Sequence, residues 1–399
     1  MTVLADRVER VKPSFTLEMT SRAADLVSQG VDVIDFSAGQ PDFNTPLNIR
    51  EAAVKAMDSG KTKYTAGAGT IELREAVCNK LTRENSLKVN PNEVLISNGE
   101  KQSLYLACQA LFQENDEVLI FKPYWVSFPE FVTLSDANPI IVETLSKKNF
   151  EPNIEDIKTK SSNRTKGIII NSPSNPTGSV WSDEATLNVL SIAKENNWVV
   201  ISDECYERLV FDGEFISAQK LNNDNNIGAN IITCMSMSKT YSMTGWRIGY
   251  AFGDKKIIKA MTKIQGQATS CANSISQSAS VEALTGDQSA VQLMKNKFKE
   301  RRNLMVSLLN EIPGTQCDLP GGAFYAFPDF SYYLGKSFNN VKIKDSFDLS
   351  DLFLNEAKVV TVPGDGFGAP GHIRFSYPVS SELIRNGLER IKNLLEKLI

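Results

Sequence analysis

The chain has 399 residues, with 43 Lys plus Arg against 47 Asp plus Glu, a net charge of −4 and 42% apolar residues. That length allows two or three domains around a large core, and the slightly acidic balance lacks the clustered positive charge that a nucleic-acid partner selects. A single histidine, His372, excludes a multi-histidine metal centre and leaves acid–base chemistry to Lys, Asp, Glu, Tyr or a cofactor. The six cysteines (Cys78, Cys108, Cys205, Cys234, Cys271 and Cys317) form no C-x-x-C pair and are too sparse for a disulfide scaffold. They read as small apolar residues of a reduced interior. No apolar run reaches the roughly 18 residues of a membrane helix. The first residues carry Asp6 and Glu9 and lack the apolar stretch of a secretory leader. The expectation is a cytoplasmic protein with no membrane or nucleic-acid partner.

In chain order, helical spacing appears over 70–85, then an apolar β-branched run at 93–97, a helix over 99–112 and a strand at 117–121. Further strands fall at 166–170, 198–202 and 230–234, with a helix over 182–196 opened by Ser182 and the acidic pair Asp183 and Glu184. Near-continuous apolar strands alternating with helices predict an α/β domain with a mainly parallel sheet covered on both faces. The last third changes character. A long helix over 287–310 precedes short strands at 323–327, 358–362 and 372–376. The chain closes on a helix whose apolar face is Leu383, Ile384, Leu388, Ile391, Leu394, Leu395 and Leu398. This pattern predicts a smaller α+β domain.

Four loops follow strands, the place where open α/β sheets hold ligands. In SNGEKQS (97–103), Gly99 opens a helix, and free N–H groups there suit a phosphate, although an ordinary strand-to-helix turn has the same pattern. NSPSNPTG (171–178) is a proline-stiffened loop carrying Asn175. SDECY (202–206) leaves Asp203 at the end of a buried strand. That placement is costly unless a cation meets it, and a structural ion pair would serve as well as a ligand. SMSKTYSMTGWRIGY (236–250) sets Lys239 among Ser236, Ser238 and Thr240, with Arg247 eight residues on. Hydroxyls and a guanidinium beside one amine make an anion site with a nucleophile next to it. Pyridoxal phosphate satisfies all four loops together: a phosphate, a ring nitrogen for a carboxylate and an aldehyde for a lysine.

The segment S-M-S-K-T-Y-S-M-T-G-W-R-I-G (236–249) resembles the cofactor-lysine signature of class I aminotransferases of fold type I, which depend on pyridoxal phosphate. The likeness runs on through FSAGQPDF (36–43), KYTAGAGTIELREAV (63–77), SNGEKQ, PYWVSFPE (123–130), NSPSNPTG, SDECYE, GGAFY (321–325), PGDGFG and HIRFSY. It covers essentially the whole chain and is greatest toward bacterial aspartate and aspartate/prephenate aminotransferases. The resemblance implies a large domain over 46–290 with a seven-stranded sheet, and a small domain made of 1–45 with 291–399. It implies a ping-pong exchange of the amino group between aspartate or glutamate and their 2-oxo acids, through pyridoxal and pyridoxamine phosphate. Prephenate, aromatic or alanine transamination and C–S lysis remain alternatives. A transcription regulator built on this domain needs an N-terminal DNA-binding segment, for which the 35 residues before FSAGQPDF leave no room.

Residue by residue, the resemblance implies that Lys239 carries the cofactor and shuttles the proton. Asp203 pairs with the ring nitrogen, Tyr206 and Asn175 with the phenolate oxygen, and Trp125 stacks on the ring. Ser236, Ser238, Arg247 and the backbone at Gly99, Glu100 and Lys101 hold the phosphate. Tyr64 reaches the phosphate of the neighbouring subunit, which implies a homodimer with shared sites. Arg374, helped by Gly39 and Asn175, takes the substrate α-carboxylate. Lys101 is the candidate for the distal carboxylate, with Lys12 a weaker one. No metal is expected, and His372 is expected to be a strand residue without a catalytic role.

Overall fold

The structure, a computed structural model, describes residues 4–13 and 15–398. It is an α/β fold centred on seven strands: β1 (Val94–Ser97), β2 (Glu117–Phe121), β3 (Asn138–Val142), β4 (Thr165–Asn171), β5 (Val199–Asp203), β6 (Asn230–Ser236) and β7 (Gly249–Gly253). Their spatial order is β1-β7-β6-β5-β4-β2-β3. Strands β2 to β6 pair in parallel, and β7 runs antiparallel to both β6 and β1.

The apolar runs of these strands follow from their being covered twice. In β2, Val118 and Ile120 join one cluster with Leu104 and Cys108 of the helix Glu100–Leu111. Leu119 and Phe121 point the other way, into a cluster with Val189 and Leu190 of the helix Asp183–Glu195. The Ser182 cap expected from the sequence is present, its hydroxyl accepting from Ala185 N at 3.2 Å. Two strands escaped the sequence pattern. β3 is a half-exposed edge containing Pro139, and β7 is a five-residue GYAFG run bounded by glycines.

Strands β1, β4, β5 and β6 all end at one edge of the sheet, at Ser97, Asn171, Asp203 and Ser236. β7 begins at that edge, where Gly249 pairs with both Ser97 and Ser236. A Cβ on Gly249 would lie 2.2 Å from Glu100 N, so glycine lets the strand pass directly under the helix that starts there.

The remaining elements close over this edge. The helix Ser289–Asn310 packs on the C-terminal helix Ser381–Leu395, whose inward face is Ile384, Leu388, Ile391, Leu394 and Leu395. Tyr325–Ala326, Ile373–Ser376 and Val362–Pro363 form a three-stranded antiparallel sheet. Ile34–Asp35 pairs in parallel with Val359–Val360, and Ser376 N donates to Phe36 O at 2.8 Å. These contacts lay the segment beginning at Phe36 beside the strand that carries Arg374. All six cysteines are free, five of them buried. No described helix is long and apolar enough to cross a membrane.

Candidate active site

At the strand-end edge lies a cavity of about 250 Å³. The four loops singled out from the sequence converge on it, bringing Glu100, Lys101, Asn175, Asp203, Tyr206, Ser236, Ser238, Lys239 and Arg247 to its wall. Gly39, Trp125 and Arg374, which belong to other segments, line it too. Tyr64 does not. It is 89% exposed and does not line this chain's own cavity. Lys12 is also outside, its backbone N–H held by Glu130 Oε2 at 2.9 Å.

Lys239 is half-buried, and its Nζ donates to the carbonyl of Gly39. Burial lowers the pKa of the amine below its ordinary value, and the Arg247 and Arg374 charges add to the fall. Cys205 and Glu100 oppose it. Asp203, at the end of β5, is the anionic counterpart. Burial pushes it up to about 6 against the pull of the Cys205 N–H at 3.2 Å, the Glu100 carboxyl and the Lys239 amine. Lys239 is a cation near Asp203, but among the described residues no ion pair joins the two, and the net shift of Asp203 is upward. Tyr206 shares a 2.7 Å hydrogen bond with the hydroxyl of Tyr325, and burial holds its phenol well above the ordinary range.

The anion cup is built from backbone at close quarters. Gly99, with φ of +79°, caps the helix that begins at Glu100, and the first N–H groups of a helix have no partner within it. A Cβ at Gly99 would sit 2.2 Å from Arg247 Nη2, so only glycine allows guanidinium and backbone to approach this closely. Arg247 takes a left-handed φ of +54° and is held by Thr244 O at 2.7 Å. Across the same opening, Ser236 Oγ accepts from Ser238 N at 3.0 Å.

Arg374 is 1% exposed. Nη1 donates to Asn175 Oδ1 at 2.9 Å and Nη2 to Ser37 O at 2.8 Å, while its buried Nε has no partner among the described residues. Its guanidinium lies over the Tyr325 ring, 4.7 Å from the centroid. Burial lowers its pKa against the pull of Tyr325, Tyr206 and Asp35, and among the described residues no carboxylate forms an ion pair with it. Lys101 lies at the mouth with its Nζ 5.2 Å from the Trp125 ring centroid, and burial with the nearby Arg247 lowers its pKa. Trp125 itself is braced edge-on by Phe128 and Phe131.

Tyr325, Thr16, Ser127 and Cys205 also line the cavity and were not picked out from the sequence. Tyr325 had a signal, since it ends the GGAFY segment, and a Cβ on Gly39 would lie 3.2 Å from its hydroxyl. His372 is not among the lining residues, and its ring stacks on Phe327 at 5.0 Å.

Residues 31–391 match the family described as aminotransferase class I and II. An aspartate aminotransferase of Bacillus sp. strain YM-2 is 42% identical over 396 residues, covering 99% of each chain. An aspartate/prephenate aminotransferase of Cereibacter sphaeroides is 42% identical over 396 residues, covering 98% of each chain. Among solved structures, the aspartate aminotransferase of Thermus thermophilus with maleate superposes with a TM-score of 0.92 at 38% identity, covering 99% of this chain and 100% of that one. That of Rhizobium meliloti superposes with a TM-score of 0.95 at 37% identity, covering both chains fully. This chain belongs to the class I and II aminotransferases.

Proposed function

We propose that the protein is an aspartate aminotransferase that uses pyridoxal phosphate to exchange the amino group between aspartate or glutamate and their 2-oxo acids. One observation carries the reading: a single cavity holds the buried Lys239 amine together with the carboxylate of Asp203 and the unpaired guanidinium of Arg374. The residues fit the cofactor. The cup at Gly99 and Arg247 suits its phosphate, Asp203 its ring nitrogen, Tyr206 and Asn175 its phenolate oxygen, and Trp125 its face.

When bound, the cofactor supplies an aldehyde for the amine and a protonated ring that stabilises a carbanion at the substrate Cα. The chain's own residues do the rest. Arg374 grips the α-carboxylate in a bidentate pair, with Asn175 and Ser37 fixing the plane of its guanidinium. Lys239, its basicity lowered by burial, removes the proton from Cα and returns it on the other side of the exchange. Asp203 keeps the ring nitrogen protonated. Lys101 at the mouth takes the distal carboxylate, a reading supported by the maleate, a dicarboxylate, named with the Thermus relative.

In this reading residues 46–290 form the cofactor-binding domain, and 1–45 with 291–399 the small domain. Two copies share their sites through Tyr64, and the enzyme works in the cytoplasm. The test is a half-reaction screen of the cofactor-loaded protein. Aspartate and glutamate should convert the visible absorption of bound pyridoxal to that of pyridoxamine at least tenfold faster than alanine or phenylalanine. Conversion by alanine or phenylalanine alone overturns the substrate assignment. Release of ammonia and pyruvate from cystathionine, with no 2-oxo acid required, makes it a lyase.

A further inference from the structure

Glu100 was expected to contribute only its backbone, yet its side chain turns inward. It is the first residue of its helix and is 6% exposed, and one carboxyl oxygen, Oε1, is buried with no hydrogen-bond partner among the described residues. Its carboxyl, that of Asp203 and the thiol of Cys205 each place an atom within 4.8 Å of the others. Two carboxylates in a dry pocket repel, and neither can be satisfied by the other unless one carries a proton.

We propose that Glu100 is a positioning residue. It keeps its proton and donates it to Asp203, so that the pair holds one negative charge against the one positive charge of the ring nitrogen. The inference rests on the reading of the site as one for pyridoxal phosphate.

The assignment of the proton to Glu100 follows from the partners of each group. Asp203 accepts the backbone N–H of Cys205, a hydrogen bond that favours its ionised form. Glu100 faces the weaker thiol donor of Cys205 and the charge of Lys239, and burial beside Asp203 outweighs both, raising its pKa well above the ordinary carboxylate range. The groups facing it are Asp203 and Cys205 at the end of β5, Lys239 across the cavity, Cys234 on β6 and Tyr250 on β7. Of these only Lys239 carries positive charge, and its amine is consumed when it carries the cofactor. The helix N-terminus favours an ionised Glu100, but burial against a second carboxylate outweighs an effect confined to one helix turn. A protonated Glu100 also adds no negative charge beside the phosphate cup formed by its own backbone.

The test uses the full-length protein loaded with cofactor labelled with nitrogen-15 in the ring. Near neutral pH, the infrared difference between wild type and Glu100→Gln should show loss of a protonated-acid carbonyl band. Glu100→Gln, whose amide still donates to Asp203, should keep the ring nitrogen protonated and bind the cofactor within about twofold of wild type. Glu100→Leu, which removes the donor, should move the nitrogen shift toward the neutral ring and weaken binding about tenfold. Loss of an ionised-carboxylate band in Glu100→Gln overturns the proposal, and so does a Glu100→Leu protein with wild-type shift and affinity. The infrared band reads equally without cofactor. Failure of wild type to bind pyridoxal phosphate therefore overturns the functional reading separately, and if Glu100→Leu does not fold, Glu100→Gln still decides.

Discussion

Asn175 and Arg374, 199 residues apart in the chain, meet through a 2.9 Å hydrogen bond from the guanidinium to the side-chain carbonyl. The bond fixes one edge of a cation that is buried, faces Tyr325 and has no ion-pair partner among the described residues. A desolvated guanidinium is costly until a carboxylate arrives, so the arrangement is paid back only on binding. Arg374→Ala should raise the KM for aspartate and lower kcat/KM by two orders of magnitude or more, a loss of about 2–5 kcal/mol. Arg374→Lys should recover little, because an ammonium cannot make the planar bidentate pair. Steady-state kinetics beside a thermal melt check this. A lowered melting temperature with unchanged KM would leave Arg374 a structural role only.

Lys239→Ala should abolish transamination by several orders of magnitude while the protein stays folded. Its one hydrogen bond among the described residues is to the Gly39 carbonyl, and relieving a buried, depressed amine does not weaken the core. The check is single-turnover kinetics with circular dichroism on the same sample. Activity near that of wild type would remove Lys239 from the chemistry.

The sheet was legible in the sequence where burial on both faces imposed an apolar run, as in β2 and β5. It was illegible where the strand lay at an edge or between glycines, as in β3 and β7. The placement of Asp203 and Lys239 at the strand-end edge could be read because one ends a strand and the other lies three residues beyond one. Arg374 could not be assigned from spacing, since a lone strand arginine has no local signature, and the family likeness supplied it. The pairing of Tyr206 with Tyr325 spans 119 residues, and the inward turn of Glu100 depends on β7 passing beneath its helix. Neither relation exists until the chain is folded.

Gly99→Ala should impair the phosphate cup specifically. The residue combines φ of +79° with Arg247 Nη2 only 2.2 Å from the position of a Cβ, so strain of about 1–3 kcal/mol adds to displacement of the guanidinium. Fluorescence titration should show cofactor affinity lowered at least tenfold. Gly213→Ala is the control. Its φ of +85° carries the same kind of strain, but nothing lies within 4 Å, so it should cost stability and leave affinity unchanged.

Tyr64 offers a test of the shared site. The residue is exposed, as are Leu47, Val54, Met57 and Ile71. Analytical ultracentrifugation should give twice the chain mass. Tyr64→Phe, which deletes one hydroxyl that does not line this chain's own cavity, should weaken cofactor binding about tenfold. A fully active monomer, or unchanged affinity in Tyr64→Phe, would exclude the contribution across subunits.

Glu204, next in sequence to Asp203, predicts a pH effect on stability that is separate from the chemistry, since it does not line the cavity. Its Oε1 accepts from Ser202 Oγ at 2.9 Å, Ala218 N at 3.0 Å and Ser217 Oγ at 3.1 Å, while the buried Oε2 has no partner. Burial outweighs these donors and pushes the carboxyl up to about 7 from 4.5. Because the folded pKa lies above the unfolded one, the folded protein binds more protons between those values. The stabilisation is complete below 4.5 and is lost as pH rises through 7. At about 1.4 kcal/mol per unit the loss amounts to roughly 3 kcal/mol. Glu204→Gln keeps the acceptor and cannot ionise, so its unfolding free energy relative to wild type should rise by that order across the window and stay level above it. Urea denaturation over a pH series measures the difference, and a difference independent of pH would show that Glu204 is ionised in the folded protein throughout.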